Sequence, residues 1–200
     1  MSTDGVDKSK RRFLTIATST VGAVGVVGAA IPFVMSMTPS AAAKAAGAPV
    51  DVDISKLEPG QLLTVKWRGK PVWVLKRTPE MLASLKKDVS MISDPDSKKS
   101  VQPAYVNKET RSIKPEILVL VGICTHLGCS PMPKLEPGVA SGMPKDWPGG
   151  FFCPCHGSKF DLAGRVFKDV PAPVNLVVPP YTFETDNIIK VGVDSKGGVA

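Results

Sequence analysis

Outside one window of 33 residues the chain contains neither cysteine nor histidine: all four cysteines and both histidines fall between Cys124 and His156. Thiolate and imidazole ligands are therefore excluded from the rest of the sequence. Aromatic residues are scarce, at 6% of 200 residues. The 25 lysines and arginines are scattered, as Lys86-Lys87, Lys98-Lys99 and single positions. A net charge of +7 with no basic stripe and no interleaved aromatics offers no nucleic-acid surface, and the lysines read as a solvated face. No internal repeat is visible. Nineteen prolines and eighteen glycines argue against a helical bundle and for a loop-rich, mainly β domain. The length suffices for one such domain and something more.

Charge is absent from Phe13 to Met37, a run of 25 residues. As a helix rising about 1.5 Å per residue, this run exceeds the roughly 30 Å hydrocarbon thickness of a bilayer. A helix also satisfies its own backbone hydrogen bonds in lipid. The competing reading is a cleaved secretory signal with Ala41-Ala42-Ala43 as its processing site. Such signals have an apolar core of only about 7–15 residues, which favours a retained anchor over residues 13–37. Gly22, Gly25 and Gly28 recur every third residue and would admit a second helix, or are ordinary small residues in a lipid-facing span. Residues 1–12 carry Lys8, Lys10, Arg11 and Arg12, and positive residues before a span stay cytoplasmic. The remainder of the chain then lies across the membrane. Ser9-Lys10-Arg11-Arg12-Phe13-Leu14 resembles a twin-arginine export signal, with one departure. Aligning Phe13-Leu14 puts Lys10-Arg11 where the arginine pair should stand. Residues 38–49, TPSAAAKAAGAP, bury too little apolar surface to form a core and read as a flexible tether, although alanines can form a helical turn.

From residue 50 to 200 the apolar runs are short and strand-like. LLTVKW (62–67) and PVWVLKR (71–77) flank Arg68-Gly69-Lys70 as a β-hairpin would. EILVLVGI (116–123) reads as a buried strand, and IIKVGV (188–193) alternates and closes the domain. Residues 78–114 suggest one short helix, at Pro79-Glu80-Met81-Leu82, and loops. The expected architecture is packed antiparallel sheets with a smaller inserted lobe at about 122–175 that carries the metal site.

Two motifs occupy that lobe: Cys124-Thr125-His126-Leu127-Gly128-Cys129 and Cys153-Pro154-Cys155-His156-Gly157-Ser158. Each is a tight loop offering a thiolate, an imidazole and one further cysteine. Structural zinc usually pairs its ligands as C-x2-4-C and H-x3-5-H. Here the histidines are interleaved with cysteines, and C-x-C-H is too cramped for all its members to bind one ion. Two disulfides with incidental histidines would waste the chain's only imidazoles in matched loops.

The pattern C-T-H-L-G-C with C-P-C-H-G-S resembles the Rieske iron–sulfur proteins. The resemblance continues through Lys159-Phe160-Asp161-Leu162-Ala163-Gly164-Arg165 and Pro171-Ala172-Pro173. It implies a Rieske-type antiparallel β sandwich with an inserted cluster-binding subdomain, preceded by one N-terminal transmembrane helix. It also implies one 2Fe–2S cluster, with Cys124 and Cys153 on the inner iron and His126 and His156 on the outer one. By the same resemblance Cys129 and Cys155 form a disulfide, and His156 hydrogen-bonds a quinol and accepts its proton. An oxidised cross-link suits a compartment outside the cytoplasm, where the charge argument independently puts the head. Leu127 and the Pro171 turn are expected to shield the cluster and present an apolar rim. Ser158 matches the family serine that donates to a cluster sulfur. Val170 stands where glycine usually precedes the proline turn.

The anchor and the second cysteine in each motif set this chain apart from soluble Rieske ferredoxins and ring-hydroxylating dioxygenases. A b6f-type complex, or another exported oxidase, remains an alternative, but the long segment 78–115 is more similar to the cytochrome bc1 subunit. That setting implies partners cytochrome b and cytochrome c1, a quinol substrate and a dimeric complex in a bacterial inner membrane. The head would be periplasmic, the 38–49 tether a hinge, and the subunit inactive alone. Many relatives carry tyrosine where this chain has Phe160, as a second donor toward the cluster. The reduction potential should accordingly lie below that of tyrosine-bearing relatives, and Phe160→Tyr should raise it. A redox titration in which that substitution leaves the potential unchanged would refute the assignment.

Overall fold

The computed structural model describes Gly5, residues 7–87 and residues 89–194. The expected segment 1–12 lies partly outside the described residues, as does the end of the head, 195–200. The chain divides into two compact units, Met1–Ala45 and Ala46–Ala200.

The first unit is dominated by helix α1, Lys8–Ser36, 29 residues long. It starts before the apolar run because Asp7 caps it, its carboxylate accepting from the Ser9 and Lys10 backbone N–H groups at 2.9 and 3.2 Å. The hydroxyls of Thr15 and Thr20 donate back to the carbonyls of Arg11 and Ile16. Polar side chains on the helix thus find partners without water. No residue of α1 is buried, and Phe13 and Phe33 are 70% and 73% exposed. So much bare apolar surface is what a lipid-facing span presents. The helix is long and apolar enough to cross a membrane, its 29 residues extending about 43 Å. In the tether, Ala41–Ala46 wind into a short helix, α2, with the Ser40 hydroxyl accepting from the Ala43 N–H.

The head begins with β1 (Val50–Asp53), β2 (Leu62–Trp67) and β3 (Lys70–Lys76). Trp67 pairs with Lys70, so Arg68-Gly69 is a two-residue turn. Both residues have positive φ, 51° and 73°, which a type I′ hairpin turn requires. Helix α3 (Pro79–Lys87) follows, with Pro79 at its first position and the Thr78 hydroxyl accepting from the Met81 N–H. It buries Met81 and Leu85. Strand β4 (Ile117–Val121) pairs with the free edge of β3, and all five of its residues are buried. Being covered on both faces, it reads as an unbroken apolar run.

The inserted lobe holds β5 (Met132–Lys134), β6 (Gly150–Phe152) and β7 (Lys159–Phe160); β8 (Tyr181–Phe183) and β9 (Ile188–Val191) return to the base. The expected packed antiparallel sheets appear as three three-stranded sheets, ordered β1-β9-β8, β2-β3-β4 and β5-β6-β7. Val74, Leu118, Leu120, Phe151, Phe160, Tyr181 and Ile189 share one core. Trp73 of β3 stacks on Phe151 of β6 at 4.9 Å and joins the base to the lobe. The same indole covers Gly122, where a Cβ would come within 2.3 Å of the ring. Only glycine fits there, directly ahead of the first cysteine motif.

Three arginines, Arg77, Arg111 and Arg165, are buried, which composition and spacing do not reveal. Arg77 donates to the carbonyls of Thr110, Pro115 and Leu162 and to the Ser112 hydroxyl. Arg111 donates to the carbonyls of Ala163, Gly164 and Leu176. Burial pushes both guanidiniums down to about 10, partly offset by the Asp161 carboxylate. Asp161 itself is paired with Arg165 at 2.6 Å, each side chain 1% exposed. Its other oxygen accepts from the Ala163 and Arg165 N–H groups. Removing one partner of such a pair strands a buried charge. Asp161→Ala should therefore cost about 3–5 kcal/mol, read as a lowered denaturant midpoint for the head. An unfolding curve within error of the parent would contradict that account.

Candidate metal centre

Two loops of the lobe are built alike. In each, the N–H of the first residue donates to the carbonyl of the sixth: Cys124 to Cys129 at 2.7 Å and Cys153 to Ser158 at 2.8 Å. The N–H of the fifth residue, a glycine, donates back to the carbonyl of the first: Gly128 to Cys124 at 3.1 Å and Gly157 to Cys153 at 2.9 Å. These glycines have φ of 82° and 77°, the left-handed region that a Cβ disfavours. Read in step, Cys124 corresponds to Cys153, His126 to Cys155, Leu127 to His156 and Cys129 to Ser158.

The structure brings both halves of the sequence motif together. Cys124 and Cys153 are free thiols, each 2% exposed. His126 is half-buried and His156 exposed, with their rings 4.8 Å apart and nearly perpendicular. Cys129 and Cys155 are joined by a disulfide that ties one loop to the other. The sulfurs of Cys129, Cys153 and Cys155 lie within 4.8 Å of one another. Two of those sulfurs are bonded to each other and are no longer thiolates, so that trio is not itself a ligand set. The remaining donors are two buried thiols and two imidazoles nearer the surface.

Burial pushes the Cys124 thiol up, and neighbouring Cys153 acts in the same direction. The His126 backbone N–H and the Ser158 hydroxyl oppose this by favouring the thiolate. A buried thiol of this kind becomes a good thiolate ligand beside a metal cation. The donor chemistry therefore fits a metal centre.

Supporting contacts surround the loops. The fully buried Ser158 hydroxyl also accepts from the Ala172 N–H at 3.1 Å. Thr125 donates to the Val174 carbonyl at 2.6 Å. The turn containing Pro171 is thereby tied to both loops. Pro171 is exposed and Leu127 is 72% exposed. Phe160 is fully buried in β7, opposite Phe151. The turn forms with Val170 before Pro171, and Asp169 supplies the left-handed residue at φ 58°. Thr125 and Asn175 escaped the sequence reading. Asn175 is buried, accepting from the Val166 N–H and donating to the Asp94 carbonyl and the Ser97 hydroxyl. Its polarity in an apolar stretch, PVNLVV, was the signal available.

Residues 49–182 match the family described as the Rieske 2Fe–2S domain. The chain belongs to the Rieske family. Its cofactor is one 2Fe–2S cluster. Residues 1–40 match a second description, "Ubiquitinol-cytochrome C reductase Fe-S subunit TAT signal". A curated relative from Allochromatium vinosum, named ubiquinol-cytochrome c reductase iron-sulfur subunit, is 60% identical over 97% of this chain and 93% of its own length. One of the same name from Blastochloris viridis is 44% identical over 96% of this chain and 97% of its own. A chain solved in a hyperthermophilic respiratory Complex III covers 87% of this Rieske chain and 98% of its own length, at 28% identity and a TM-score of 0.46.

The disulfide is the covalent tie between the Rieske loops. Replacing Cys129 and Cys155 together by alanine should lower the stability of the head by about 2–5 kcal/mol and speed chelator extraction of iron. Unchanged extraction kinetics in the double variant would show that the hydrogen bonds hold the loops without it.

Proposed function

We propose that this chain is the iron–sulfur subunit of a bacterial cytochrome bc1 complex, a quinol–cytochrome c reductase working with cytochrome b and cytochrome c1. The single observation that carries the reading is a pair of imidazoles at the open end of a site whose two thiols are buried. Relatives matching nearly its full length carry the name ubiquinol-cytochrome c reductase iron-sulfur subunit, which favours this setting over a b6f-type complex or another exported oxidase.

In this reading Cys124 and Cys153 would hold one iron of the cluster, and His126 and His156 the other. When bound, a 2Fe–2S group with imidazoles in place of two thiolates supplies a one-electron acceptor at roughly −150 to +300 mV, oxidising enough for a quinol. His156, the more exposed imidazole, hydrogen-bonds the quinol hydroxyl and accepts its proton. Leu127 and Pro171 form an apolar rim that keeps water from the site when a partner docks. Ser158 directs its hydroxyl at Cys124 and anchors Ala172 with its oxygen, which favours the electron-accepting state and fixes the rim in one step. The chain hands its electron to cytochrome c1.

Helix α1 anchors the subunit in the inner membrane with its basic end cytoplasmic and the head periplasmic, within a dimeric complex. One head serving two partners must travel, so residues 38–49 act as the hinge. Isolation of the complex from membranes tests the assignment. Co-purifying b- and c-type haem, with an electron paramagnetic resonance signal on reduction, is the expected result. Material lacking iron and acid-labile sulfide, as a structural zinc domain would, sinks it. Prolines added to residues 38–49 should slow turnover while leaving the resonance signal of the reduced centre intact. Undiminished turnover would argue against a moving head.

A further inference from the structure

Three of the site's four cysteine sulfurs lie within reach of one another in one group, and two of those three are joined. Those of Cys129, Cys153 and Cys155 lie within 4.8 Å of one another, with Cys129 bonded to Cys155 and Cys153 free. A thiolate beside a disulfide can exchange with it, forming one sulfur–sulfur bond as the other breaks. Two targets are open to Cys153. Bonding to Cys155 would close a ring across Pro154 alone and distort the loop that the Cys153–Ser158 hydrogen bond closes at 2.8 Å. Bonding to Cys129 crosses between the loops, as the existing bridge already does.

We propose that in the cluster-free chain the Cys129–Cys155 bridge isomerises to Cys129–Cys153, so that cluster insertion must precede oxidation of the cysteine pair. The step balances without an oxidant. The Cys153 sulfur bonds to the Cys129 sulfur, the Cys129–Cys155 bond breaks, and its electron pair leaves on Cys155. That sulfur takes up a proton equivalent to the one lost by Cys153. The chain gains no electrons and loses none. It does lose one of its two cluster thiolates, and it acquires a thiol at Cys155, which is exposed. Iron on Cys153 blocks the exchange, because the attacking lone pair is then engaged. The order of reactions suits an export signal of the twin-arginine kind, since that route carries chains already folded. The inference rests on the reading of Cys153 as an iron ligand.

The test uses the full chain in detergent, loaded with cluster and carrying the intact bridge. Iron is stripped by a chelator with neither oxidant nor free thiol present. Samples are alkylated at intervals, digested in acid, and their cross-linked peptides mapped by mass spectrometry. The loaded chain should keep Cys129–Cys155 throughout. In the stripped chain Cys129–Cys153 should accumulate over minutes to hours, with Cys155 becoming alkylated. The fraction able to take iron and sulfide back should fall in step, and recover after reduction. A stripped Cys153→Ser chain should retain the original bridge. Persistence of Cys129–Cys155 alone in the stripped parent chain, with full reloading, overturns the proposal. A Cys153→Ser chain that still holds a complete cluster overturns the ligand assignment instead, so the two failures are distinct.

Discussion

The site exists because two short loops are each closed on themselves and then tied to each other. Cys124 and Cys153 sit at the first position of their loops, where their N–H groups are spent on carbonyls five residues later. That closure points both thiols inward and leaves the middle of each loop facing out, with His126 and His156 rings 4.8 Å apart. Neither loop could hold this arrangement alone. A six-residue loop fixes its own backbone but not its distance from a second loop, and a site that draws donors from both needs that distance set to a fraction of an ångström. The Cys129–Cys155 bridge fixes it on one side. On the other, the 171–174 turn bonds to both loops through Thr125 and Ser158.

The turn that follows the second loop must also be immobile, and the protein achieves this with guanidinium groups. The carbonyls of Leu162 and Ala163 are buried acceptors that would be orphaned without donors, and that of Gly164, which accepts from the Leu176 N–H, has a second acceptor site to fill. Arg77 and Arg111 supply those donors. Each is planar and multiply armed, so one side chain satisfies several carbonyls from different segments. Arg111 joins the 163–164 turn to Leu176, and Arg77 joins it to the segment ahead of β4. Only one of the three buried arginines has a directly bonded carboxylate. The others spread their charge over backbone carbonyls and the neutral side chains of Ser112 and Gln102, an arrangement that is costly to desolvate but geometrically specific.

The uneven legibility of the sequence follows from the range of each interaction. The β2–β3 hairpin was readable because its cause is local: Arg68-Gly69 between two apolar runs. Strand β4 was readable as an uninterrupted apolar stretch, and the start of α3 from Pro79. The two loops were readable because thiolate, imidazole and glycine recur at matched positions. Arg77 was not, since its partner Leu162 lies 85 residues away and nothing near it signals burial. Asn175 and Thr125 were hidden for the same reason, their partners being brought close only by the folded chain. The alanines of the tether suggested a spacer, and six of its residues are helical. Alanine's helix propensity is enough for that when Ser40 caps the turn.

Burial sorts the four donor side chains into two kinds. Thiols at 2% exposure are screened from solvent. An imidazole nearer the surface differs in kind from a thiol, because it retains a second nitrogen when the first is engaged. A thiolate in the same place would have no such group, and burying the imidazoles would close it off. Holding the buried end rigid and leaving the imidazole end open therefore belong to one requirement. The disulfide and the arginine-braced turn restrain the loops, while Leu127 and Pro171 stay exposed. Rigidity is thus supplied by contacts that leave the His156 imidazole exposed.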